Sequence, residues 1–152
     1  MRFGGHKQAA GLTILESNID NFILSANEYC EANLDRALLK KEKIHDLEIS
    51  LGELSLSLAK DLELLEPFGF GNPMPVFLVK NVRVKDIIPF SEGKHARVFV
   101  DGYRDKQITC FNIANYTIEV GAICYIYVTI GVNSWQGQEK LDIFLKDVTP
   151  ST

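Results

Sequence analysis

Apolar residues in the first forty positions recur at helical steps. Beyond "AAGLTIL", which reads as a short strand of small residues, Ile19, Phe22, Ile23, Ala26, Cys30, Leu34 and Leu38 follow at intervals of three and four. That spacing predicts one face of an amphipathic helix over about residues 18–40, with Ser17 or Asn18 as N-cap. The charged "KKEK" at 40–43 reads as a solvated linker and sets a boundary there. Two parts are therefore expected, 1–43 and 44–152.

The second part begins with "HDLEISL", where Leu47, Ile49 and Leu51 alternate with Glu48 and Ser50 as in a strand. Ser55 is placed to cap a second helix whose stripe is Leu54, Leu58, Leu62 and Leu65, ended by Pro67. This lead-in covers 44–66. "PFGFGNPMP" at 67–75 is a rigid turn that continues neither a helix nor a central strand.

From Val76 the period changes to two. "VFLVKNVRVKDIIPF" reads as one long strand broken before Pro89. "ARVFVDG" and "KQITCFNI" are joined by a turn around Asp101-Gly102, and "AICYIYVTIGV" and "KLDIFLKDV" are joined by a hairpin at "NSWQGQ". Five strands over 76–148, with a looser connection at "ANYT" between the third and fourth, predict a small closed barrel. The fold class is α+β, with a five-stranded antiparallel OB-fold barrel as its larger part. An SH3-like barrel is the nearest competitor.

Composition narrows the class. Of 152 residues, 46% are hydrophobic and 24% charged, a globular balance. No apolar run approaches the ~20 residues of a membrane span, and no secretory leader is visible. Cys30, Cys110 and Cys124 are odd in number, far apart and set among apolar neighbours. They read as reduced core thiols, so a cytoplasmic protein without disulfide framework or zinc site is expected. The net charge of −4 does not by itself announce a nucleic-acid binder. Charge is uneven, however: residues 1–66 hold 7 basic against 12 acidic side chains, and residues 67–152 hold 9 against 8. A polyanion would sooner meet the second half.

The candidate chemistry begins at Gly4-Gly5-His6. Two glycines allow close approach to a ligand, and an imidazole with free N–H groups beside it suits a phosphate. Taken alone, Gly-Gly marks an ordinary turn far more often than a phosphate cradle. The longer string "GGHKQAAG", however, resembles the signature of the DHH-associated domain of the DHH phosphoesterase superfamily. "LLEPFGFGNPMPVF", the barrel after it and the closing "NSWQGQEKLDIFLKDV" resemble one branch, the bacterial RecJ single-strand-specific exonucleases. The resemblance runs along essentially the whole chain in the family's order.

That resemblance implies a C-terminal part of such an enzyme, the end of its DHH-associated domain followed by its OB domain. It implies a parent that degrades single-stranded DNA from the 5′ end with manganese or magnesium, in repair and recombination. Gly4, Gly5 and His6 fall on the family's phosphate-contacting loop, with Arg2 beside it. The metal-binding aspartates and histidines are expected upstream of Met1, because no Asp-His-His triplet occurs in the chain and His45 and His95 stand apart without metal-ligand spacing. This chain alone is then expected to be inactive as a nuclease, with no catalytic or metal residue of its own. Single-strand-binding protein and recombination helicases are partners only as the resemblance implies.

In the barrel, OB-folds hold single strands with aromatic platforms and a basic groove. Trp135, at the last hairpin, either faces a ligand or folds back on the barrel. Lys94, His95 and Arg97, at the turn joining the first two strands, are candidates for phosphate contact, as are Arg104 and Lys106 at the next turn. The latter pair read more readily as ordinary solvated turn charges. Phe99 and Phe111 read as exposed stacking residues or core, with alternation alone favouring core, and Tyr125 and Tyr127 pose the same choice. Two other functions compete: a stand-alone module binding nucleic acid or protein, and another DHH-family phosphodiesterase acting on short oligonucleotides.

Overall fold

A computed structural model describes residues 2–6, 9–35, 43–103 and 107–151. The chain divides into two compact units, Met1–Glu42 and Lys43–Thr152. In the first, β1 (Arg2–His6) and β2 (Ala9–Thr13) form an antiparallel pair, followed by α1 (Ile19–Asn33). Gly4-Gly5-His6 is thus strand, not turn, because it pairs in register with Gly11, Ala10 and Ala9. Gly5 is required there: a Cβ on it would lie 2.6 Å from the Cβ of Ala10. Asn18 is the N-cap of α1 but makes no side-chain capping bond. The helix is shorter than its apolar period predicts. It stops at Asn33, whose side-chain amide donates to Tyr29 O at 2.8 Å, and Leu34 turns extended. Leu38 lies outside the described residues. No described residue of this unit is buried.

The second unit is built on β4 (Phe77–Phe90), β5 (His95–Val100), β6 (Gln107–Cys110), β7 (Ile123–Trp135) and β8 (Gln138–Pro150). They close in the order β4-β5-β6-β8-β7, with β7 returning to β4. The antiparallel expectation needs one refinement. β6 meets β8 in parallel, at Ile108↔Ile143 and Thr109↔Phe144, and the other barrel seams are antiparallel. One long strand serves two neighbours because β4 is irregular. Asn81, at a φ of 55°, shifts the register between Val79 and Val82, and a second shift lies between Val84 and Asp86. Phe77–Arg83 pair with β7, and Val84–Phe90 pair with β5. The expected break before Pro89 does not occur. Beyond Arg83 no pairing of β4 with β7 is recorded, so Pro89 sits where its missing N–H is not needed.

The core is the inward half of each strand's alternation: Val98 and Val100, Ile108 and Cys110, Ile126 and Val128, Ile143 and Leu145. The lead-in packs against one part of it. "HDLEISL" contributes only β3 (Leu47–Glu48), parallel to Phe77–Leu78, and Leu47 stays exposed. Glu53 accepts from the Ser50 N–H and hydroxyl at 2.7 Å each, which holds its carboxyl below the usual range. The Ser55 hydroxyl accepts from Leu58 N and starts α2 (Leu56–Glu63). Leu54 and Ala59 are buried, Leu58 and Leu62 pack beside them, and Leu65 is exposed, past the end of the helix. Lys43, placed by its charge in a solvated linker, is instead half-buried. Its ammonium donates to Asp147 Oδ1 at 3.0 Å and Val148 O at 2.8 Å.

Candidate nucleic-acid interface

Strand alternation sends every second residue of β5, β6 and β8 to the outside of the barrel. Ala96, Val98 and Val100 point inward, so His95, Arg97 and Phe99 point outward. Likewise Cys110 is buried while Phe111 is 49% exposed. Phe99 and Phe111 therefore do not belong to the core as expected. Alternation was the right rule, and its phase is set by the aliphatic neighbours Val98, Val100 and Ile108.

These side chains meet as a ladder of rings. The His95 ring lies 5.4 Å from that of Phe90 and 5.2 Å, edge-on, from that of Phe111. Phe111 in turn stacks on Phe144, with centroids 5.9 Å apart and planes inclined by 16°. The Arg97 guanidinium sits 5.3 Å above Phe90. Register accounts for the assembly: Phe90 pairs with His95, and Arg97, Thr109 and Phe144 lie in one row across β5, β6 and β8. His95 Nδ1 accepts from the Asn112 N–H at 3.0 Å, and Asn112 reaches that position through a left-handed φ of 52°. An imidazole accepting at Nδ1 presents its other nitrogen as donor. Lys94, in the β4–β5 turn, is exposed beside this row.

The β7–β8 hairpin closes through Gln136 and Gly137, both at positive φ, the geometry a two-residue turn needs. Trp135 is consequently the last residue of β7, not a turn residue, and pairs with Gln138. It is 74% exposed, so it does not fold back on the barrel. Arg104 and Lys106 lie outside the described residues. Gly4, Gly5, His6 and Arg2 are exposed on β1, in the first unit. Phe90 and Phe144 carry no local motif that marks them as part of a site. The available signal was phase: Phe144 lies between the inward Ile143 and Leu145.

Tyr125 and Tyr127, left open by sequence, are half-buried on another wall of the barrel. Lys80 lies 6.0 Å from the Tyr125 ring and Lys43 5.9 Å from that of Tyr127. His45 meets Tyr127 edge-on at 6.0 Å. Both ammoniums are engaged by carboxylates, Lys80 by Glu48 at 2.6 Å and Lys43 by Asp147.

The ring ladder draws Phe90 from the end of the first barrel strand, His95 from the second, Phe111 from just past the third and Phe144 from the fifth, beside the strand 2–3 face where OB-folds take oligonucleotides. The RecJ OB domain family model matches residues 45–147, about two thirds of the chain. The chain belongs to the RecJ family. It is 23% identical over 154 residues to the single-stranded-DNA-specific exonuclease RecJ of Bacillus subtilis, covering 98% of this chain and 20% of that protein. The Salmonella typhimurium RecJ is 28% identical, over 99% of this chain and 26% of its own length. The crystal structure of Thermus thermophilus RecJ with Mn2+ shares the fold at a TM-score of 0.69 and 23% identity, covering 100% of this chain and 22% of that one. The chain therefore spans about a fifth to a quarter of these relatives.

Crystals of the Thermus RecJ carry Mn2+ or Mg2+. Among the described residues of this chain, no group of three or more His, Cys, Asp or Glu side chains is placed to hold such an ion. These residues do not fit a two-metal centre, and no hydrolytic step is assigned to them. No described helix is long and apolar enough to cross a membrane.

Proposed function

We propose that this chain is the C-terminal part of a RecJ-type 5′-to-3′ exonuclease of the cytoplasm, and that its barrel grips the single-stranded DNA substrate. The observation that carries the reading is the ladder Phe90–His95–Phe111–Phe144 with Arg97 above Phe90. Flat faces take unpaired bases, and a guanidinium takes the phosphates between them. Residues 1–43 are the end of a DHH-associated domain. There Gly4, with open space where a Cβ would stand, admits a phosphate close to the backbone, Gly5 lets Ala10 pack beside it, and His6 and Arg2 supply the donors. The divalent-metal centre that cuts the strand belongs to a preceding domain of the parent enzyme.

The test is fluorescence anisotropy of the purified chain with a labelled single-stranded 12-mer and its duplex. Binding of the single strand that weakens with salt, and weaker binding of the duplex, are expected. Equal or tighter binding of the duplex would overturn the reading. Nuclease assays with Mn2+ are expected to show no cleavage by this chain. Cleavage lost in His6→Ala would refute the assignment of the chemistry to a preceding domain.

A further inference from the structure

Beside the ring ladder the outer wall changes character. Two residues along the β6–β8 seam from Thr109 and Phe144, about 7 Å away, stand Gln107 and Asp142. They line a groove of about 470 Å³ with Asn133, Trp135, Gln138 and Lys140. Its walls are three amides, one carboxylate, one ammonium, one leucine and one exposed indole rather than a row of cations. Asp142 Oδ2 accepts from the Asn133 amide at 3.0 Å, which fixes both side chains on the groove wall.

Lys140 can take a flanking phosphate, and the rest of this chemistry suits a base. A carboxylate repels the DNA backbone but accepts from an exocyclic amino group, and it pairs in that way with cytosine N4. The indole supplies a stacking face and the amides supply both donors and acceptors. Thymine offers carbonyl oxygens where cytosine offers the amino group, so Asp142 meets acceptor with acceptor.

We propose that the groove between Trp135 and Asp142 is a nucleobase pocket that prefers a cytosine-type amino-bearing base over thymine. It rests on the reading of the barrel as a single-strand binder. It adds base preference to a ladder that is indifferent to sequence.

The test compares oligo(dC) and oligo(dT) 12-mers, both pyrimidines, by anisotropy with the full chain. Oligo(dC) is expected to bind roughly tenfold tighter, the scale of one good base-edge contact. Asp142→Ala brings the two to parity while leaving oligo(dT) affinity unchanged or slightly raised. An oligo(dC) carrying N4,N4-dimethylcytosine falls to the oligo(dT) level on the unaltered protein, a result independent of any folding defect. Phe111→Ala weakens both oligomers by the same factor. Equal binding of dC and dT by the unaltered chain, or a preference that survives Asp142→Ala or dimethylation, overturns the pocket alone. Failure to bind either oligomer overturns the single-strand reading and the pocket with it.

Discussion

On the wall formed by β4 and β7, Lys80 lies against Tyr125 and Lys43 against Tyr127, and Glu48 and Asp147 hold the two ammoniums. On the wall of β5, β6 and β8, Arg97 lies over Phe90 and makes no ion pair among the described residues. Both walls thus combine rings with cations, but only the first holds its cations with carboxylates among the described residues. The Lys80 ammonium, hydrogen-bonded to Glu48, is held above its usual pKa, the mark of a cation already satisfied. On the proposed reading, aromatic and basic composition alone does not single out the strand-binding wall. What decides there is whether the protein has already supplied the counter-charge.

The sharpest perturbation tests the premise that both walls stand on one core. Ile108→Ala, beneath the ladder, and Ile126→Ala, beneath the tyrosines, are each expected to cost about 2–5 kcal/mol by urea unfolding. Both isoleucines are 1% exposed in a single cluster. A loss confined to one of them would mean that the walls are not supported by a common core.

Ring removal separates the walls next. Phe111→Ala is expected to weaken single-strand binding by about 1–3 kcal/mol, with little change in the unfolding midpoint. Tyr127→Ala should do the reverse, destabilising the fold while leaving DNA affinity in place. Lys43→Met, which removes two hydrogen bonds from a half-buried ammonium, should cost about 1–2 kcal/mol of stability and no affinity. Arg97→Ala should reduce the slope of log affinity against log salt by about one, with stability unchanged.

Legibility in the sequence followed the strength of the local pattern. The barrel strands are readable because β-branched alternation leaves few choices, and Ser55 by its hydroxyl and Pro67 by its missing N–H bracket α2. The ladder was half readable. His95 and Arg97 stand out as turn cations, but alternation favours the core for Phe111, as for Phe99 nearby, because it gives a period and not a phase. The phase comes from pairing: Ala96 opposes Cys110 and Ile108 opposes Ile143, and those pairs fill the interior. The glycines of Gly4-Gly5-His6 suggest a turn, whereas the cross-strand approach of Ala10 is what requires Gly5. Lys43 could not be told from a linker charge, since its partner lies 104 residues away in the chain.

The smallest expected effect concerns the thiols. Burial pushes Cys110 up to about 11 and raises Cys124, while Cys30 is exposed. At pH 8 one thiol per native chain should react with a maleimide, rising to three on unfolding. A protonated Cys110 favours the native state most below the unfolded thiol's pKa of about 8.5. That advantage is lost as pH climbs toward 11, so alkaline unfolding should be milder in Cys110→Ala once its cavity cost is subtracted.

The most direct measurement of the central claim is photocrosslinking of the chain to a single-stranded 12-mer carrying 5-iododeoxyuridine, with adducts located by mass spectrometry. The account predicts adducts on Phe90, His95, Phe111 or Phe144, from the open wall of the barrel. Adducts concentrated on Tyr125 and Tyr127, with none on the ladder, would contradict it.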